Sequence, residues 1–148
     1  MNKTKTPRRR RSREFVVQAL YQSAINHTPA PEIAANIRAS RDFVQADADL
    51  FTQIFFGAHQ NRADYDNLLA PLIERDLKTV NPIEKSVLLM AVYELKEMPQ
   101  TPYPVIINEA IEVTKTFGGT DSHRFVNGIL DKLAVSLRPH EIKRAPST

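Results

Sequence analysis

The sequence predicts an all-α fold of about seven short helices in two small packed bundles, and three observations carry that prediction. Only 4 of the 148 residues are glycine, and no run alternates apolar and polar residues as a half-buried strand would. Apolar residues recur instead at three- and four-residue spacing. The breaks between these stretches fall at proline or glycine pairs. With 42% hydrophobic and 25% charged residues, the composition is that of a globular protein. A chain of this size buries roughly 70% of its unfolded surface, so it folds without a metal or a disulfide. The absence of cysteine excludes disulfide frameworks, thiolate metal clusters and cysteine nucleophiles.

The first helix is expected from about Arg10 to Asn26, with Val16, Ala19, Leu20, Ser23 and Ala24 on one face and Phe15 and Tyr21 at its edges. Pro29 and Pro31 separate it from a short second helix carrying Ile33 and Ile37. A third, over residues 46 to 59, aligns Phe51, Ile54, Phe55 and Ala58. A fourth, over residues 63 to 77, stacks Tyr65, Leu68, Leu69, Leu72 and Ile73, with Pro71 expected to kink it. The fifth has the clearest start: Asn81 as N-cap, Pro82 at the first helical position and Glu84 three residues after the cap. Val87 through Leu95 is apolar nearly all round, which predicts a buried central helix. The sixth turns Ile106, Ala110, Val113 and Phe117 inward and Asn108, Glu109, Glu112 and Lys115 outward, ending at Gly118 and Gly119. Thr120 or Asp121 caps the seventh, whose buried face is Val126, Ile129, Leu130, Leu133 and Leu137.

Charge is unevenly distributed. Lys3, Lys5, Arg8, Arg9, Arg10, Arg11 and Arg13 face only Glu14 within the first 14 residues, a net of +6, whereas the whole chain carries +3. The body is therefore mildly acidic. An arginine-rich start on such a body suits phosphate contacts, because guanidinium groups neutralise backbone charge and release counterions, although a solvated terminus has the same composition. No apolar run reaches the ~20 residues that span a bilayer, since LFTQIFFGA at 50 to 58 is interrupted by polar residues. The basic start leads into an amphipathic segment rather than a signal sequence, so a cytoplasmic protein is expected.

Enzyme chemistry finds no support. His27, His59, His123 and His140 are scattered without a second ligand at helical spacing, so no metal is expected. Asp121, Ser122 and His123 are consecutive, and consecutive residues at a helix start point in different directions, unlike a triad. Gly118 and Gly119 lack the lysine and spacing of a phosphate loop. Carboxylate pairs such as Asp47 with Asp49, or Asp64 with Asp66, suit helix N-termini. Phe125 shares a helical face with Asp121, Gly128 and Lys132, which leaves room for a base to stack, although an aromatic at that margin can equally close the core. Tyr21 shares a face with Arg10 and Val17 and has the same two readings.

The stretches RRRRSREFVVQALYQ (8 to 22), NPIEKSVLLMAVYEL (81 to 95), PVIINEAIEVTKTFG (104 to 118) and TDSHRFVNGILDKL (120 to 133) carry a resemblance. In this order they are similar to the bacterial NusB family of transcription antitermination and termination factors, from about Arg8 to Arg138 and weakly between 28 and 62. The FG-x-x-DS-x-x-FVNGIL pattern, combined with INEAIE and the arginine-rich start, is far more specific than any one piece. The resemblance implies two helical bundles without catalysis or a cofactor, and binding of the single-stranded boxA element of ribosomal RNA leader transcripts. It further implies a heterodimer with NusE, a ribosomal small-subunit protein, and assembly with RNA polymerase and other Nus factors.

Carried over by position, Arg8, Arg9, Arg10, Arg11 and Arg13 match the family's RNA-binding arm. Asp121 and Phe125 match its RNA-proximal surface, and Tyr21 and Glu84 match positions associated with RNA or NusE contact. Whether Asp121 and Glu84 touch ligands or only cap helices stays open. Residues 1 to 7 are expected as a flexible basic arm, 8 to 138 as one domain and 139 to 148 as a flexible tail. Leu89 stands where many members carry a basic residue, so that helix lacks a charge toward partner or RNA. The NusB-like domain of ribosomal RNA cytosine methyltransferases continues into a catalytic domain with a catalytic cysteine, for which this chain has neither length nor cysteine. A homodimer that buries the partner-accepting apolar patch is compatible with the sequence. So is a helical adaptor with only non-specific RNA affinity.

Overall fold

The computed structural model describes residues 6–118 and 121–144, and the helices it shows begin where prolines and polar caps permit. Among the described residues there are eight α-helices and no strand. Pro7 precedes α1 (Arg8–Asn26), so the arginine cluster lies inside the first turns of a helix rather than on an arm. That helix ends at His27, which takes the left-handed conformation (φ 56°) usually left to glycine and returns its N–H to the Ser23 carbonyl. Pro29 and Pro31 open α2 (Ala30–Arg38) rather than merely separating it, because helix first turns tolerate the missing N–H. A 3₁₀ turn, Arg41–Gln45, follows and buries Phe43 between Phe15 and Phe51, at ring-centroid distances of 5.3 and 5.4 Å.

Asp47 caps α3 (Ala48–Gln60) by accepting from the Leu50 N–H. The buried Ser12 hydroxyl bonds both the Asp47 carbonyl and its N–H, which fixes the start of α3 against α1. The fourth helix departs from expectation. α4 (Arg62–Leu69) stops short of Pro71 instead of kinking through it. Proline offers no N–H to the helix ladder, and the chain tightens into a 3₁₀ turn, Ala70–Leu72, then loops to a second such turn, Leu77–Thr79. Tyr65, Leu69 and Ile73 still reach the core.

Asn81 caps α5 (Pro82–Glu97) through the Ile83 N–H at 2.7 Å. Glu84 does not complete the box by reaching back to Asn81; its carboxylate pairs with Arg75. α5 packs against α1, α3, α4, α6 (Tyr103–Phe117) and α7 (Ser122–Leu137). It is thus shared by two bundles, one built with α1 to α3 and the other with α4, α6 and α7, around one continuous core. Gly118 ends α6 in an extended conformation, and Gly119 and Thr120 lie outside the described residues. Asp121 stands at the N-cap of α7, but its side chain makes no capping bond. The tail expected from 139 instead begins with α8 (Pro139–Arg144).

Arg138 explains that ordering. Its buried guanidinium donates to the carbonyls of Leu95, Met98 and Thr101 at 2.8 to 2.9 Å, supplying the cation and donors that the C-terminal end of α5 needs. The same group pairs with Glu141, which also accepts the Tyr103 N–H at 3.0 Å. One arginine thereby ties together the ends of α5 and α7 and the start of α6. No helix among the described residues is long and apolar enough to cross a membrane.

Two glycines predict opposite responses to alanine. A Cβ at Gly57 would lie 2.1 Å from the Tyr93 ring of α5, whereas one at Gly128 on α7 would meet nothing within 4 Å. Gly57→Ala is expected to lower stability by roughly 1–3 kcal/mol by overpacking, a loss relieved in a Tyr93→Ala background. Gly128→Ala should raise stability by up to ~1 kcal/mol through helix propensity. Urea unfolding of the four variants checks both signs.

Candidate nucleic-acid interface

Cations in the first turn of a helix oppose its dipole, so the start of α1 is locally unfavourable and acidic partners must offset it. Each arginine is treated differently. Arg13 is 3% exposed and donates two hydrogen bonds to Glu94 of α5, at 2.9 and 2.8 Å. Arg10 makes the same bidentate fork with Glu109 of α6, both bonds at 2.9 Å, and Arg13 approaches Glu109 at 3.6 Å. Glu109 therefore faces α1 rather than pointing outward as its helical position suggested. The Arg10 hydrogen bond holds the Glu109 carboxyl below its ordinary 4.5, and the same bond raises Arg10. Burial is the largest influence and works against the Arg13 charge, but the Glu94 hydrogen bonds together with the Glu94 and Glu109 charges outweigh it, and its pKa is raised.

The remaining three arginines meet solvent. Arg11 pairs with Glu14 one turn on, at 3.0 Å, and Arg8 donates to the Ala46 carbonyl at 2.9 Å. Arg9 is the least engaged, 3.9 Å from Asp47 with half of its side chain exposed. The structure thus removes Arg13 from the residues able to touch a phosphate. It leaves Arg8 and Arg9 as the exposed charges of the cluster, with Arg10 and Arg11 half-buried and paired.

A second constellation lies between α4, α5 and α7. The Arg75 guanidinium stands 4.7 Å over the Phe125 ring and 3.7 Å from the Glu84 carboxylate. An open groove of about 530 Å³ runs past them, lined by Glu74, Arg124, Gly128 and Lys132. Phe125 is half-buried, packing one side on the core and offering the other to this groove. Asp121 is exposed at the start of α7, where its carbonyl accepts from the Arg124 and Phe125 N–H groups. The structure brings Glu84 and Phe125 together through Arg75. Tyr21 is separate: it lies 12 residues beyond Arg9 on α1, roughly 18 Å along the axis, exposed beside Ile25.

Near that face a cavity of about 260 Å³ is bounded by His27, His59, Arg62, Lys85 and Leu89. Leu89 is nearly buried there, so the place of the missing charge is an apolar wall between α1 and α5. Burial, and next the Arg62 charge, lower the pKa of His59. Arg75 escaped the sequence reading because 50 residues separate it from Phe125 and it reads as one polar position of the expected fourth helix. Glu94 did carry a signal: a carboxylate within an all-apolar helix requires a cationic partner.

Among the described residues, no group of three or more histidines or carboxylates is placed to hold a metal. The described surface thus carries two features: exposed, loosely partnered guanidinium groups at the start of α1, and Arg75 set over Phe125 of α7.

Comparison with known proteins agrees with this architecture. The NusB family model matches residues 10–135. The Transcription antitermination protein NusB of Neisseria gonorrhoeae is 66% identical over 136 residues, covering 92% of this chain and 96% of that protein. That of Chromobacterium violaceum is 49% identical, covering 90% and 91%. A solved NusB of T. maritima superposes with a TM-score of 0.78 at 30% identity, covering 95% of this chain and 99% of that one. A complex of antitermination factors NusB and NusE with dsRNA contains a chain of the same fold, with a TM-score of 0.75 at 14% identity, covering 86% and 96%.

The ion network predicts how acid and mutation act. Because Glu109 is held below its unfolded value, its contribution is present above about 4.5 and is lost as pH falls through the lower folded value. Glu109→Gln should therefore flatten the acid limb of a stability–pH curve measured by urea unfolding. Arg13→Ala leaves Glu94 buried and unpaired and should cost roughly 3–5 kcal/mol, much of it recovered by Arg13→Met with Glu94→Leu.

Proposed function

The chain belongs to the NusB family, and from that premise we propose that it is an RNA-binding transcription antitermination factor acting by binding rather than by catalysis. It recognises single-stranded boxA RNA of ribosomal RNA leader transcripts as a heterodimer with NusE, and joins RNA polymerase and the other Nus factors through that complex in the cytoplasm. The observation that carries this reading is the division of labour on its surface. Arg8 and Arg9 are exposed cations retained at an unfavourable helix start, with Arg11 part-exposed beside them. Breaking a local stability rule with outward charge is the mark of a binding surface. Phe125 with Arg75 adds a platform on which unpaired bases can be told apart from plain charge.

NusE is proposed to seat on the face that holds Tyr21, where Tyr21 and Ile25 are exposed apolar groups, while Glu84, paired with Arg75, belongs to the RNA-proximal groove. The same apolar pair would be covered in a homodimer, which would then compete with NusE. Asp121, exposed and free of a capping bond, is available to accept from a base amino group.

The test is a titration of boxA RNA, scrambled RNA and a duplex of the same sequence, with and without NusE, at near-physiological salt. Selective, NusE-enhanced binding of the single strand is expected. Equal weak binding of all three despite NusE would overturn the reading in favour of a protein-only adaptor, and preference for the duplex would overturn its single-strand part. Each phosphate contact on single strands contributes ~0.7 to the slope of log affinity against log salt. Arg9→Glu should therefore weaken binding to every RNA and reduce the slope. A core-preserving Phe125→Leu should lower boxA discrimination with the slope unchanged.

A further inference from the structure

We infer that the Arg75 guanidinium, not the Phe125 ring itself, is the surface on which an unpaired base stacks, with Phe125 behind it and Glu84 holding it in plane; this rests on the RNA-binding reading above. Arg75 stands 4.7 Å over Phe125, and both residues line the groove. A base seated over the Phe125 ring where Arg75 stands would have to displace it. That displacement forfeits a cation–π contact and takes the cation from Glu84, whose side chain is only 11% exposed. Stacking on the outer face forfeits neither. The Arg75 side chain is 51% exposed, so the guanidinium touches the ring and still meets solvent. Arginine planes accept bases as aromatic rings do.

The surroundings fit a single nucleotide. Arg124 and Lys132 bound the groove and can hold its phosphate, while Glu74 at the rim can accept from a base amino group. Gly128 keeps the floor open, since a Cβ there would meet nothing within 4 Å. Arg75 owes its position to Pro71, which ends α4 and sends residues 73 to 76 across toward α7.

The experiment uses the full chain with NusE and boxA RNA carrying 2-aminopurine at successive positions, reading Kd, boxA-to-scrambled selectivity and fluorescence quenching. Arg75→Lys keeps the charge and loses the plane. It is expected to lower selectivity about tenfold and abolish quenching at one position, with the salt slope unchanged. Arg75→Ala should show the same loss, with the slope reduced as well by up to one contact, ~0.7. Thermal melts confirm that both variants fold, as expected for a half-exposed side chain. Wild-type selectivity and quenching in Arg75→Lys would overturn the inference alone, and so would tighter binding by Arg75→Ala, because the base would then lie on Phe125. A wild-type protein without selectivity would overturn both this inference and the RNA reading.

Discussion

The orientation of α1 depends on a carboxylate buried in the central helix. Glu94 lies in the apolar body of α5, where an unpaired charge would be prohibitive, and Arg13 satisfies it with two hydrogen bonds from the neighbouring helix. A bidentate fork specifies angle as well as distance, so the pair sets the roll of α1 about its axis. Glu109 extends the constraint to α6 by accepting from Arg10 and approaching Arg13. Arg9 shares the helical face of Arg13 one turn earlier, and it meets solvent because it stands at the very start of α1, with only Asp47 near it at 3.9 Å. Positive charges at a helix N-terminus, a defect by local rules, become tolerable because one subset is neutralised by the fold.

Much of the architecture was legible because burial follows helical periodicity. The stripes on α3, α6 and α7, the buried body of α5 and the Asn81–Pro82 start lie where spacing and capping chemistry put them. What periodicity does not encode is where a backbone is stopped by tertiary context. The apolar pattern runs through Pro71 unbroken, yet the helix ends at Leu69 because the proline has no N–H to give. Likewise α8 is polar by composition, and its order comes from Arg138 and Glu141 binding carbonyls and an N–H from distant segments.

The site was legible in kind and less so in its assignment of roles. Composition put a basic cluster at the start and helical angle put Phe125 beside Gly128 and Lys132, but neither separates a phosphate ligand from a buried structural arginine. That difference lies in partners on α5 and α6, more than 80 residues away for Arg13 and Glu94. Capping roles failed for a related reason. Asp121 and Glu84 occupy positions where caps are common, yet one makes no cap bond and the other pairs with Arg75. Position permits a role, and the available partner decides it.

The two constellations solve opposite electrostatic problems. On α1, excess cation is trimmed by carboxylates until only the outer face remains charged. At the groove a single arginine is held between a ring and a carboxylate, so its charge is partly spent locally while its plane stays open. A surface of the first kind attracts any polyanion, and its strength decays with salt because exposed charges are screened. A surface of the second kind contributes through stacking and shape, which salt affects little. Placing them on different elements, α1 and the loop after α4, lets affinity and discrimination vary independently. Exposed charge on α1 can change without touching Arg75 or Phe125, because Arg8 and Arg9 find their partners at Ala46 and Asp47.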